Sequence, residues 1–211
     1  MLNAINLIAS ISILAPALVG AIVFFKLSNT LKTLATFVFV GVCFEIVVFS
    51  FAKCRINNLF LFHIYTFFEF GALSFFFFQL ARSQFLKIFI LSGIAVFVGF
   101  SIYEYTYGLR LSEFNSFQRI VENLLLLIFI LAAFAEMSLS KVPIFIEYSP
   151  YFIVVVGLLL YVLGTTLLYV FSHYMIARHA NSYWILHGVF RTTFNLSIAF
   201  ALWKGRFELK R

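Results

Sequence analysis

The chain has 211 residues, of which 64% are hydrophobic, 20% aromatic and only 11% charged. A water-soluble domain carries roughly 25% charged residues, so this composition leaves too little polar surface to cover a soluble globule. The formal net charge of +7 is not gathered into a basic domain, which excludes a nucleic-acid-binding function. The composition therefore predicts an integral membrane protein whose main surroundings are the lipid bilayer.

Continuous apolar runs recur along the chain, and each is close to the roughly 20 residues that a helix needs to cross the hydrocarbon layer. The runs do not alternate, and several are too long for barrel strands, so helices are the expected spanning form. The sequence predicts an all-α fold of seven transmembrane helices in one domain over residues 1–211. Pro16 should kink the first helix, and residues 143–150 are expected to lie along the membrane interface. The predicted spans are Ala4–Phe25, Thr33–Ala52, Leu59–Ala81, Ile88–Tyr107, Phe117–Leu139, Tyr151–Ala177 and Tyr183–Trp203.

The distribution of lysine and arginine predicts the orientation of the helices. If the N-terminus lies outside, nine basic residues fall on the cytoplasmic side, including a short basic tail at residues 204–211, and five on the outer side. The positive-inside rule therefore favours N-out and C-in, in a bacterial cytoplasmic (inner) membrane. The five basic residues assigned to the outer side are Lys53, Arg55, Arg110, Arg119 and Arg178.

Several ionisable residues fall inside the predicted spans, where a charge costs about 2.5–3.5 kcal/mol on insertion scales and so requires a partner or a cavity. Counted inward from the outer ends of the helices, six of them lie in the outer half of the bundle. This common depth predicts one polar cluster near the outer leaflet. The six residues are Glu45, His63, Glu69, Glu122, His187 and Arg191.

Helical spacing sharpens the predicted cluster. His187, Arg191 and Asn195 follow one another at intervals of four, so they form a polar stripe on one face of the last helix. On the third helix, Tyr65 and Thr66 share a face with Glu69, whereas His63 lies about 120° away and is expected to meet different neighbours. Glu69 and Arg191 lie at nearly the same depth, which predicts an ion pair between them.

These residues, with the six above, form the predicted ligand-binding set: Glu45, His63, Tyr65, Thr66, Glu69, Glu122, His187, Arg191 and Asn195. In this set three carboxylates face one arginine. Such an excess of negative charge would be neutralised by a bound cation, by a proton, or by protonation of a histidine.

The start of the seventh span is partly similar in sequence to the start of the third. The segment 57–63, NNLFLFH, aligns with the segment 181–187, NSYWILH, and the preceding helices align through 41–50 and 164–172. The alignment predicts a parallel repeat of three helices, a linker helix and three more. This 3+1+3 arrangement resembles that of small sugar facilitators of the SWEET type, which implies a ligand site between the two halves. The aromatic third helix and the Trp-Ile-Leu-His helix also resemble small seven-helix bacterial membrane proteins, a resemblance that implies no activity.

The predicted pocket favours binding of a small ligand, an ion or a proton, for transport or for sensing. A sensor would need a further cytoplasmic or membrane protein partner. Alternatives are a metal-dependent intramembrane lipid hydrolase, with His63, His187 and Glu69 as ligands, and a structural subunit of a larger membrane complex. The hydrolase is disfavoured because Arg191 stands where an HxxxH pair would place its second histidine. The sequence contains no cofactor-binding motif, and it has no aspartate for a Ser-His-Asp triad. These observations favour a protein that is not an enzyme.

Overall fold

The computed structural model of the chain describes residues 8–107, 114–139, 149–177 and 183–207. Within these residues the regular structure is helical, without strands, and seven helices are long and apolar enough to cross a membrane. The predicted all-helical class and the seven spans are confirmed to that extent, whereas the orientation stays a prediction. The first span covers Ile8–Lys26, and its longest regular part is α1. The helices are α1 (Leu14–Val23), α2 (Asn29–Lys53), α3 (Leu59–Leu80), α4 (Gln84–Tyr107), α5 (Ser116–Ser138), α6 (Pro150–Val170) and α7 (Trp184–Gly205).

Two helices begin four residues earlier than the apolar runs predict. α2 begins at Asn29 rather than Thr33, and α4 begins at Gln84 rather than Ile88. The first turn of each helix contains an amide side chain and a lysine, Asn29 and Lys32 in α2 and Gln84 and Lys87 in α4, so a search for uninterrupted apolar runs does not include it. Ser28 caps α2, because its Oγ accepts a hydrogen bond from the Leu31 N–H at 3.4 Å.

The sixth span is shorter than predicted. Its helix ends at Val170, and a separate six-residue helix, Ser172–Ala177, follows the break at Phe171. Ser172 is buried at the break, where its Oγ donates to the Tyr169 carbonyl at 2.7 Å and contacts the Ser116 Oγ at 2.7 Å. The sidechain hydroxyl thus engages the backbone where the regular helix stops.

The expected kink in the first span occurs before Pro16. Pro16 has no N–H to donate to the Ser12 carbonyl, four residues earlier, and the helix is interrupted at residues 12–13. The Ser12 carbonyl instead accepts from the Ala15 N–H at 3.2 Å. At this interruption Ile13 lines a central chamber described below, and Ser12 accepts a hydrogen bond from Asn195 of the chamber lining.

Two other predictions fall largely outside the described residues. Most of the predicted interfacial segment 143–150 lies there, as do residues 4–7 of the first predicted span and residues 208–211 of the basic tail. Lys204 and Gly205, the first residues of that tail, belong to α7.

Six of the helices form a ring through their principal contacts. The neighbours run in the order α1, α2, α3, α5, α6, α7, and α7 returns to α1, while α4 packs outside the ring against α3 and α5. Large apolar side chains such as Ile22, Phe49 and Phe85 are exposed on the outside of the bundle. An apolar exterior of this kind suits a lipid environment better than water.

The two ends of the ring differ. At one end, where α2 begins and α3 ends, buried aliphatic and aromatic side chains fill the centre, including Leu31, Leu73, Phe76, Ile198 and Leu202. We call this the closed end. At the other end, where α2 and α6 finish and α3, α5 and α7 begin, polar side chains replace the apolar core. We call this the chamber end.

The contact between α6 and α7 depends on glycine. A Cβ added at Gly157 would lie closer to the Ser197 side chain than non-bonded atoms allow, and one added at Gly164 would overlap the Phe190 ring. Small residues let transmembrane helices approach closely and gain van der Waals contact. This close approach fixes the position of the α7 face that carries His187, Arg191 and Asn195.

Candidate functional site

A chamber of about 320 Å³ lies between the helices of the ring at the chamber end. Its volume is at the lower end of the range of small-molecule pockets, about 300–1,000 Å³. Every span of the ring contributes to the lining, the first through Ile13, which precedes α1, whereas the peripheral α4 does not. Six of the nine predicted site residues line the chamber: Glu45, Tyr65, Glu69, His187, Arg191 and Asn195.

The predicted polar stripe on α7 faces the chamber. His187, Arg191 and Asn195 all face the chamber, and each binds a different neighbouring element. His187 Nε2 lies 3.1 Å from the Tyr169 hydroxyl of α6, and Asn195 Nδ2 donates to the Ser12 Oγ at 2.8 Å. The stripe therefore connects α7 to both of its neighbours in the ring.

The expected ion pair between Glu69 and Arg191 is wrong. Glu69 instead accepts from Arg119 of α5, and Arg191 donates to Glu45 of α2. Equal depth in the membrane did not identify the partner, because α3 packs against α5 and not principally against α7.

Arg119 holds two carboxylates at once. Its Nη1 donates to Glu69 and, at 3.0 Å, to Oε2 of Glu122, which lies three residues further along the same helix. All three side chains are at least nine-tenths buried, and only 1% of Glu122 is exposed. Glu122 lies behind the chamber wall rather than on it, and its Oε1 has no hydrogen-bond partner.

The second ion pair is more accessible than the first. The side chains of Arg191 and Glu45 are 23% and 29% exposed, compared with 8% and 5% for Arg119 and Glu69. In both pairs the carboxylate that lines the chamber comes from the first three helices and the guanidinium from the last three. Both ion pairs therefore connect the half of the ring formed by α1–α3 to the half formed by α5–α7.

The charge balance also differs from the expectation of three carboxylates around a single arginine. Among the described residues, Glu45, Glu69 and Glu122 are paired with two arginines, Arg119 and Arg191. With every group ionised, this cluster carries one surplus negative charge. The surplus lies on the carboxylates that share Arg119, since Glu45 has a guanidinium of its own.

Aromatic rings form the two walls of the chamber. On the first half, Phe44 packs against Tyr65 with ring centroids 4.5 Å apart. On the second half, Phe114 contacts Trp184 at 5.4 Å, and the Trp184 and His187 rings lie 6.2 Å apart. The chamber is thus an aromatic pocket with ionic groups set into it.

Asn115, which precedes α5, adds a polar group one helical turn before Arg119. Its Nδ2 donates to the Thr66 Oγ1 at 2.7 Å and to the Phe62 carbonyl at 3.3 Å. The Phe62 carbonyl can only accept, so the atom of the Asn115 amide that faces it must be the nitrogen. The amide oxygen, Asn115 Oδ1, then points elsewhere as an acceptor and has no hydrogen-bond partner. Asn115 lines the chamber and is 1% exposed.

Three predicted site residues do not line the chamber. His63 is buried with Nδ1 3.1 Å from the Tyr105 hydroxyl of α4, so it meets different neighbours from Glu69, as the helical angle predicted. Thr66 is buried against Asn115, and Glu122 lies behind Arg119. His63 and His187 therefore do not converge, and no group of three metal-binding side chains occurs in the described part of the chain.

Four polar lining residues were not predicted: Asn115, Arg119, Tyr161 and Tyr169. Arg119 was assigned to the outer loop although the predicted fifth span began at Phe117. Its spacing of three residues from Glu122 was the available signal, because residues i and i+3 of a helix are neighbours. The two tyrosines lie eight residues apart on α6, a spacing that puts them near one face of that helix.

Comparisons were made with models of protein families, with curated proteins and with solved structures. None of the three finds a match for this chain. The feature that indicates a function is therefore the chamber itself, which lies in a bundle of seven helices long and apolar enough to cross a membrane.

Proposed function

We propose that the chain binds a small solute in this chamber and moves it across the membrane. The observation that carries the proposal is the chamber itself, whose volume, aromatic walls and few convergent polar groups are those of a ligand pocket. Simple packing would have been served by apolar side chains, as at the closed end. A buried ionic cluster beside a cavity is costly in a membrane and is a functional-site hypothesis by default.

Transport is preferred to sensing because of where the ion pairs lie. Both pairs connect the first three helices to the last three, so a solute that competes for these groups would change the contacts between the halves. A chamber that ends at a packed core is the arrangement expected of one state of an alternating-access transporter. If only binding occurred, the same chamber would serve a receptor that acts through a protein partner.

The 3+1+3 repeat and the N-out orientation in a bacterial inner membrane belong to this proposal. The order of the ring supports the repeat, because exchanging α1–α3 for α5–α7 reproduces the same neighbours and leaves α4 as the linker outside. The two aligned histidines are not equivalent in their surroundings, since His187 lines the chamber and His63 contacts Tyr105. Any functional symmetry is therefore incomplete.

The proposal is tested by reconstituting the full chain in liposomes and measuring counterflow of labelled amines, amino acids, carboxylates and sugars. We expect flux of at least one class, reduced tenfold or more in Arg191→Ala and retained in Arg82→Ala, which removes an exposed arginine. In parallel, Trp203→Phe leaves Trp184 as the sole tryptophan and hence as a fluorescent reporter in the chamber wall.

The two measurements separate the outcomes. A solute that changes Trp184 fluorescence without flux would identify a receptor rather than a transporter. If the whole panel gives neither flux nor a change in fluorescence, the chamber is not a solute site and the proposal fails.

A further inference from the structure

We propose that the ligand of the chamber is a small organic cation, a protonated amine on a compact apolar body. This inference rests on the proposed function, because it names the chemical class of solute for the same chamber. Three features of the described residues point to this class: the charge balance, the unpartnered buried acceptors and the aromatic walls.

The charge balance favours a cation. Glu69 and Glu122 share the single guanidinium of Arg119, while Arg191 is matched by Glu45. With all three carboxylates ionised, a ligand with one positive charge neutralises the cluster, whereas an anion would add a second uncompensated negative charge in a region of low dielectric constant. Glu69 is the member of the Arg119 group that reaches the chamber, so it is the expected contact for the ammonium group.

The buried atoms that lack partners near this cluster are acceptors. They are Asn115 Oδ1, in the chamber lining, and Glu122 Oε1, behind it. Among the described residues, no buried donor without a partner lines the chamber. The two unpartnered atoms that can donate, Ser74 Oγ and Arg206 Nε, lie outside its lining. Since a buried acceptor without a partner has lost its hydrogen bonds to water and gained none, a ligand that brings N–H donors fits this chamber better than one that brings acceptors.

The walls provide a surface for both parts of such a ligand. Aromatic faces attract cations and also bury apolar groups. Tyr65 already has the Arg119 guanidinium 5.7 Å from its ring centroid, which shows that a cation is accommodated beside this wall. The opposite wall contains Phe114 and Trp184, and neither ring takes part in a cation–π contact among the described residues. We expect the apolar body to pack there.

The test uses four probes that share a phenyl ring and differ in charge. These are phenethylammonium (cation), phenylalanine (zwitterion), phenethyl alcohol (neutral) and phenylacetate (anion). Binding to the Trp203→Phe protein in lipid nanodiscs is followed by Trp184 fluorescence. We expect phenethylammonium to bind at least tenfold more tightly than each of the other three.

Two variants assign the effect to the surplus charge. In Glu69→Gln the amide oxygen still accepts a hydrogen bond from Arg119, and Glu122 remains as the counter-charge of Arg119. The surplus negative charge is thereby removed, and two carboxylates then face two arginines. Glu122→Gln removes the same surplus without altering the lining. We expect each variant to weaken phenethylammonium binding tenfold or more and to leave phenethyl alcohol unaffected. Glu136→Gln is the matched control, because Glu136 binds the backbone of Arg82 and Ser83 near the closed end and should leave both affinities unchanged.

The outcomes distinguish this inference from the proposed function. Tighter binding of the anion, the zwitterion or the neutral probe would overturn the cation assignment while leaving a solute chamber in place. Cation binding that survives both Glu69→Gln and Glu122→Gln would also overturn it. Absence of phenethylammonium binding overturns the assignment as well, and the counterflow panel then decides the proposed function separately.

Discussion

Arg119 is the residue on which the buried electrostatics of α3 and α5 depend. Its guanidinium is the shared partner of Glu69 and Glu122, and all three side chains are removed from water. Removing one member of a buried ionic group leaves an uncompensated charge, which is more costly than the net value of the pair suggests. Arg119 thus has a structural role as well as a place in the chamber wall.

Arg119→Ala is expected to lower the free energy of unfolding by about 3 kcal/mol or more, because it leaves two buried carboxylates without a cation. Adding Glu122→Gln to this variant should restore part of the loss by removing one of the two charges. The measurement is denaturation of the purified protein in mixed micelles, with Arg82→Ala as the exposed-arginine control. Equal stability of Arg119→Ala and Arg82→Ala would contradict the prediction.

Much of the polar lining could be predicted from single residues, but their pairing could not. The interval of four residues identified the α7 stripe, and hydropathy identified Glu45 and Glu69 as unusual. Which side chains pair depends on which helices are neighbours and on how each helix is rotated about its axis. The depth of a residue along the membrane normal gives no information on either. For the same reason the sequence did not show that His63 faces α4.

Among the helices, α6 and α7 show how far local sequence determines the structure. Their existence follows from long apolar runs, and the ends of α7 lie within two residues of the predicted ones. The break at Phe171 was not predicted. Beside it, Ser172 contacts Ser116 of another helix, and the local sequence does not reveal such a contact. The short distance between α6 and α7 was not predicted either, because the sequence does not show that Ser197 packs against Gly157.

Gly157→Ala is expected to destabilise the bundle by about 1–3 kcal/mol, the usual cost of overpacking. The new methyl group would meet the Ser197 side chain, so α7 must move away from α6. Gly71→Ala in α3 is the matched control, since a Cβ there meets no atom within 4 Å. The control should be neutral or stabilising by up to about 1 kcal/mol, because alanine favours helix more than glycine does. Thermal unfolding in micelles measures both, and an equal effect of the two variants would refute the packing argument.

The arrangement of the full ring gives the site its asymmetry. Polar contacts connect successive helices at the chamber end, while an apolar core fills the closed end. Lining carboxylates come from one half and guanidinium groups from the other, so attraction across the chamber holds the halves together. In the transport cycle that we propose, movement of one half relative to the other would break or exchange these ion pairs and so would link occupancy of the chamber to the shape of the bundle.

Charge exchange tests whether the Glu45–Arg191 pair holds the two halves together. Glu45→Arg and Arg191→Glu should each reduce stability, because each places like charges together, and the double variant should recover most of the loss. We expect a coupling energy of about 1–3 kcal/mol in a double-mutant cycle measured by denaturation in micelles. The matched cycle combines Glu136→Arg with Arg82→Glu. Glu136 accepts from the backbone N–H of Arg82 at 2.9 Å, a contact that exchanging side chains cannot restore, so that cycle should show little recovery. If the Glu45–Arg191 double variant is no more stable than the worse of its single variants, this pair does not hold the halves together.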